Sequence, residues 1–172
     1  MAEQIAGLKD EDWAVREDAA VLLGTYKDPR AVQPLVLILR DRDRAVREAA
    51  IGALTSIGAP SVEALGACLV DRELAVQEAA SGILASIADD RVYGPLVAAL
   101  RSADWIVRMH AAKALGRVKN IAAVEPLIPL LQDKVKAVRE EVAAALATIG
   151  EAAIPSLLEA LQHTEWLVRL HA

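Results

Sequence analysis

Apolar positions along the chain follow a helical rhythm nested inside a longer one. Val15, Val46, Val76, Val107, Val138 and Val168 stand 31, 30, 31, 31 and 30 residues apart, and arginine follows each of them except Val76. The surrounding text repeats with them, as in RAVREAAIGALTSIG from 44 to 58 and KAVREEVAAALATIG from 136 to 150. At about 100° per residue, each valine shares one apolar arc with the residues four, seven, eight and eleven after it. Val107, Ala111, Ala114, Leu115 and Val118 illustrate that arc. It predicts a helix, B, with a core-facing stripe. Apolar residues also recur 14, 11 and 7 positions before each later valine, for example Val32, Leu35 and Leu39, or Ile154, Leu157 and Leu161. This spacing predicts a preceding helix, A.

The breaks between these stretches carry turn signals. Pro34, Pro95 and Pro126 suit the first turn of helix A, whose amides have no helical partner. Asp12, Asp43 and Asp104 stand where a carboxylate can cap helix B, and Gly58 and Gly150 stand where a left-handed residue ends it. Pro129, three residues after Pro126, predicts a kink or a late start in its helix A. Connections this short force antiparallel neighbours. Small residues four after the valine, Ala19, Ala50, Ala80 and Ala111, with Val142 as the exception, allow close stacking. The predicted fold is therefore all-α, a right-handed alpha-alpha superhelix of antiparallel helix pairs. Residues 1–172 are expected to form a single solenoid: a partial pair 1–27, pairs at about 28–58, 59–88, 89–119 and 120–150, and a truncated pair 151–172.

Composition narrows the class without changing the fold. Hydrophobic residues make up 55% of the chain but aromatics only 3%, with no Phe, which favours helices over sheets. The single cysteine, Cys68, excludes an internal disulfide and lies in an apolar helical run. Nothing at the N-terminus resembles a signal segment, and no stretch approaches ~18 uninterrupted apolar residues. A soluble cytoplasmic protein with no membrane partner is expected. The net charge is −5, and residues 1–86 hold 9 bases against 14 acids. That balance disfavours a nucleic acid, whose phosphates are held by clustered Lys and Arg.

These residues resemble the short HEAT-like repeats of the phycobilisome-lyase type across essentially the whole chain, and are also close to the consensus of artificial alpha-helical repeat binders. The resemblance rests on an Asp five before the valine (Asp10, Asp41, Asp71, Asp133) and an Arg just after it (Arg16, Arg47, Arg108, Arg139, Arg169). In the family these pair as a ladder between helices. Ser102 and His163 replace the Asp and Gln77 replaces the Arg, so gaps in the ladder are expected there.

No catalytic constellation emerges from the residues. HEAT-like di-iron hydroxylases carry His-Glu dipeptides, whereas the histidines here precede Ala111, Thr164 and Ala172. His110 and His171 share a phase two repeats apart, roughly 20 Å at helix-packing distances, and cannot share a metal. Neither a phosphate-binding glycine loop nor a nucleophile elbow is present. No enzymatic activity, no cofactor and no metal are expected.

A partner is expected on the outer face of helix B, which the family makes concave. Its positions lie two and one before the valine and two, three, six and ten after it. The named candidates are Trp13, Arg44, Glu48, Glu78, Trp105, Ile106, Met109, His110, Lys113, Arg117, Trp166, Leu167 and Leu170. All three tryptophans occupy one phase, and Trp and Met are favoured interface anchors. The second and third B helices should present a shallow groove of small residues edged by Glu. The expected function is a non-catalytic scaffold for a protein or peptide. The alternatives are an accessory subunit of a bilin lyase, which the resemblance implies, and a nucleic-acid-handling protein. Val168 and Ala172 are expected to leave a core stripe uncovered, which implies either end-to-end self-association or a stretch of a longer array.

Overall fold

In the computed structural model every predicted stripe folds as a helix, and no strand occurs among the described residues. Residues 1–87 and 89–171 are described, with the backbone alone for Leu167 and His171. Ala172, named above for an uncovered stripe, lies outside the described residues.

The B helices are α2 (Trp13–Tyr26), α4 (Arg44–Ile57), α6 (Leu74–Ser86), α8 (Trp105–Val118), α10 (Lys136–Ile149) and α12 (Trp166–His171). The shorter A helices are α1 (Ala2–Gly7), α3 (Val32–Ile38), α5 (Val62–Cys68), α7 (Tyr93–Ala99), α9 (Val124–Leu127) and α11 (Ile154–Ala160). From α3 onward a 3-10 turn leads into each A helix. The fold is all-α and solenoid-like. It divides into two units, Met1–Val92 and Tyr93–Ala172.

The units carry one plan written twice. Trp13, Arg16, Gly24, Lys27, Asp41 and Gly58 of the first recur as Trp105, Arg108, Gly116, Lys119, Asp133 and Gly150 of the second. The spacing of 31 after Val15 and Val107 and of 30 after Val46 and Val138 goes with two kinds of turn after helix B. In the longer kind, Lys27 and Lys119 take the left-handed conformation at φ 50° and 55°, and Asp28 or Asn120 caps the 3-10 turn that follows. In the shorter kind, Gly58 (φ 73°, ψ −131°) or Gly150 (φ 86°, ψ −144°) turns the chain with one residue fewer. The two glycines were expected to be left-handed. Their φ is positive, but their ψ lies in a region essentially reserved for glycine, and the lysines hold the left-handed caps.

Five of the recurrent valines are buried, but Val15 is 41% exposed where Val46 is fully buried. The wheel gives both the same azimuth. Val46 has α2 beside it in the preceding pair, whereas among the described residues no helix pair precedes that of α1 and α2 to cover Val15. Val168, expected to be uncovered, is 1% exposed. Its side of α12 packs inward onto the preceding pair. One position before the expected A-helix stripe proves equally buried: Ala31, Ser61, Val92, Ala123 and Ala153 are sealed in the core, and the Ser61 hydroxyl donates to the Leu54 carbonyl.

Pro129 lacks the amide that would continue α9, and the chain tightens into a 3-10 segment, Ile128–Gln132. The run Lys136–Ala160 has the length and apolarity of a membrane span. It contains the Gly150 turn, and Val138, Val142 and Leu146 of α10 are buried.

Candidate functional site

The residues that shape the B-helix surface are held by an arginine ladder reaching from one pair to the next. In the first unit Arg16 is almost fully buried. Its Nη1 donates to the Asp10 and Glu11 carbonyls of its own turn. Its Nε and Nη2 donate to Asp41 at 2.8 and 3.0 Å, and Nη2 also reaches Asp43 at 2.7 Å. Arg108 repeats this in the second unit, with Ser102 and Ala103 carbonyls on one edge and Asp133 at 2.7 and 2.9 Å on the other. Each Asp is set for the role because one carboxylate oxygen already accepts an amide two residues on, from Asp43 or Val135.

These bonds shift the titration of both partners. The Arg16 hydrogen bond holds the Asp41 carboxyl below its ordinary value, against the cost of burial. At Asp133 burial pushes upward, but the bonds from Arg108 and the Val135 amide outweigh it and the value is lowered. Asp28 and Asp89, each gripped by the arginine two residues on, fall to about 2.

The remaining rungs differ. Arg47 donates to the Asp41 and Arg42 carbonyls, while Asp71 is taken by Arg40. Gln77 donates to the Asp71 carbonyl through Nε2, and its Oε1 is buried without a hydrogen-bond partner. Arg139 donates to the Asp133 carbonyl and Arg169 to those of His163 and Thr164.

Two glycines set how closely the B helices approach. A Cβ on Gly24 would stand 2.7 Å from the Ala53 Cα, and one on Gly116 would stand 2.8 Å from the Ala145 Cα. Above the first contact opens a groove of about 390 Å³ between α2 and α4, lined by Val21, Gly24, Thr25, Lys27, Ala49, Gly52, Ala53 and Ser56. A groove of small residues was expected on the second and third B helices. The groove of about 390 Å³ lies between the first and second.

The tryptophans each open a B helix directly after its capping turn. Trp13 is 48%, Trp105 39% and Trp166 60% exposed. Asp12 and Asp104 accept the amides of Ala14 and Ile106, which fixes the first two turns. Asp43, expected to cap α4 likewise, makes no such bond and turns to Arg16. Arg44 and Glu48 are exposed and paired at 2.7 Å, and Glu78, Lys113, Arg117 and Leu170 are exposed. Ile106 and Met109 are half-buried. The side chain of Leu167 lies outside the described residues. His110 was expected on the open face but is only 4% exposed. Three residues after the valine lies roughly 60° from the stripe's centre, a rim where the neighbouring helix decides burial. Among the described residues no cluster of His, Cys, Asp and Glu could hold a metal.

A family model for HEAT repeats matches residues 2–85, 62–147 and 93–172. The alpha subunit of phycocyanobilin lyase from Picosynechococcus sp. (strain ATCC 27264 / PCC 7002 / PR-6) is 43% identical over 79 residues, covering 41% of this chain and 30% of the relative. The chain thus spans less than a third of that relative's length. The structure of the complex of CpcE and CpcF of phycocyanin lyase from Nostoc sp. PCC7120 shares the fold at TM-score 0.55 and 24% identity, over 98% of this chain and 73% of that one. An engineered protein of known crystal structure gives TM-score 0.50 at 25% identity, over 98% and 92%. The expectation of no enzymatic role does not stand, because the identity to a lyase subunit points to a lyase-type protein over the matched stretch. With the ladder, the paired helices and the family model in agreement along its length, the chain belongs to the HEAT-repeat family.

Proposed function

We propose that the chain acts as a lyase-type subunit that handles a bilin together with a protein partner, using the open face of its B helices. The single observation that supports this most is the 43% identity to the phycocyanobilin lyase subunit. The chemistry of α8 is compatible with it. Trp105 offers an exposed aromatic face at the helix start, and the exposed Lys113 and Arg117 follow later along the same helix. A bilin is a flat conjugated ligand with carboxylate side groups, which suits stacking on an aromatic ring and pairing with cations.

The test is to mix purified chain with phycocyanobilin, add a phycocyanin subunit lacking pigment, and follow visible absorbance and pigment carried by the subunit. The expected result is a shifted bilin spectrum and faster attachment than without the chain, both diminished in a Trp105→Ala, Lys113→Ala, Arg117→Ala variant. An unchanged spectrum with unchanged attachment, for chain of native circular dichroism, would reject the reading.

A further inference from the structure

The two units repeat one another position by position, and the repeat brings out a difference in charge. The groove between α2 and α4 has its counterpart between α8 and α10, where Gly116 meets Ala145 as closely as Gly24 meets Ala53. The first groove is lined by uncharged residues such as Val21, Thr25 and Ala49, and Lys27 is the one cation of its lining. At the matching positions of the second unit Val21 becomes Lys113, Thr25 becomes Arg117 and Ala49 becomes Glu141. Lys119 keeps the place of Lys27, in the same left-handed conformation. Three cations thus stand where the first groove holds one, with Glu141 as the one carboxylate among the corresponding positions.

Lys113, Arg117 and Lys119 are exposed, and among the described residues none of them is paired with a carboxylate. Other exposed cations do find an acid: Arg30 pairs with Asp28, Arg91 with Asp89 and Lys136 with Glu140. A helix C-terminus favours positive charge, which accounts for Arg117 and Lys119 at the end of α8, but that effect fades within the last turn. Lys113 stands more than a turn before the end at Val118. Lys113 and Arg117 are four residues apart, so their Cβ atoms lie roughly 5–6 Å from one another on one face. Trp105 lies about 80° round the helix from Lys113. The short side chains of Gly116, Ala144 and Ala145 leave the floor between the two helices low.

The geometry points to a seat for the carboxylates of a ligand in the groove between α8 and α10, with Lys113 and Arg117 together holding one and Lys119 another. Naming that ligand as a bilin rests on the lyase reading, whereas the charge pattern that carries the seat does not. Cations spread along a groove suit separate, singly charged groups on one molecule, while a phosphate concentrates its charge at one point. Glu141 among them disfavours any negative charge beyond what the three cations balance. The second unit, and not the first, then orients the ligand, because the groove between α2 and α4 offers Lys27 alone.

Phycocyanobilin and its dimethyl ester differ only at the carboxylates, and titrating each into the chain, followed by visible absorbance, tests the seat. The free pigment should bind at least about tenfold more tightly than the ester, the scale of a charge-assisted hydrogen bond. In a Lys113→Ala, Arg117→Ala, Lys119→Ala variant that preference should vanish with ester binding unchanged, whereas Lys27→Ala should keep it. Glu141→Gln should strengthen binding of the free pigment and leave the ester as it was. Circular dichroism checks that each variant is folded. Equal affinity for the two forms, or a preference that survives the triple variant, would overturn the seat while leaving the lyase reading in place. A preference for the free pigment without faster attachment to the phycocyanin subunit would keep the seat and reject the lyase reading. A chain that binds neither form would reject both.

Discussion

Gly24 lies so close to Ala53 that a single added methyl would stand 2.7 Å from the neighbouring Cα. The opposing atom is backbone in another helix and cannot turn aside. Gly24→Ala should therefore lose stability even though alanine is the better helix former by ~1 kcal/mol, since overpacking of this kind costs about 1–3 kcal/mol. Gly116→Ala, facing Ala145 at 2.8 Å, should behave alike. Gly52 and Gly82 have nothing within 4 Å of an added Cβ, and their alanine variants should gain about 0.5–1 kcal/mol. Thermal melts of the four variants separate the two classes.

The ladder rungs should differ in weight. Arg108→Ala leaves the Asp133 carboxylate, with 9% of its side chain exposed, without its bidentate partner, and should cost about 1–3 kcal/mol. Arg47 binds carbonyls of its own turn and, among the described residues, no carboxylate of the following pair, so Arg47→Ala should cost visibly less. Urea denaturation midpoints at neutral pH check the order.

Acid should weaken the protein through Asp41 and Asp133. Both carboxyls sit below their ordinary value of 3.8 in the folded state. Their contribution is present in full above that value and is lost as pH falls from there through the lower folded value. In Arg108→Ala the part of the Asp133 contribution that comes from Arg108 is gone at every pH. The stability gap between wild type and this variant should therefore be constant above that range and close below it, which denaturation at stepped pH measures.

Trp105 and Trp166 are exposed at the starts of α8 and α12, and neither fills the core. Their alanine variants should move unfolding free energy by no more than about 0.5 kcal/mol while reducing binding of the bilin or its protein carrier. Fluorescence quenching of the tryptophans by added ligand, compared with the melts, distinguishes a binding role from a packing one.

Much of the fold was legible because helical periodicity is a local property. The spacing from Val46 to Leu54 fixes which side of α4 is apolar, and both residues are fully buried. Pro129 announced the break in α9 because a missing amide acts wherever it stands. Of the candidate surface, the exposure of the tryptophans followed from their phase. The burial of His110 and the exposure of Val15 did not, since each depends on whether another helix lies alongside. The close approach of Gly24 to Ala53 was invisible for the same reason, although the recurrence of glycine at 24 and 116 signalled it.

The sequence alone determined the repeat, the helical stripes and the residue types of the ladder, because these rest on short-range geometry and on the chemistry of single side chains. Tertiary structure decided that Arg16 serves Asp41 of the next pair and Arg108 serves Asp133, while Arg47 stays at its own turn. Such choices depend on distances between helices far apart in the chain, and packing sets those distances.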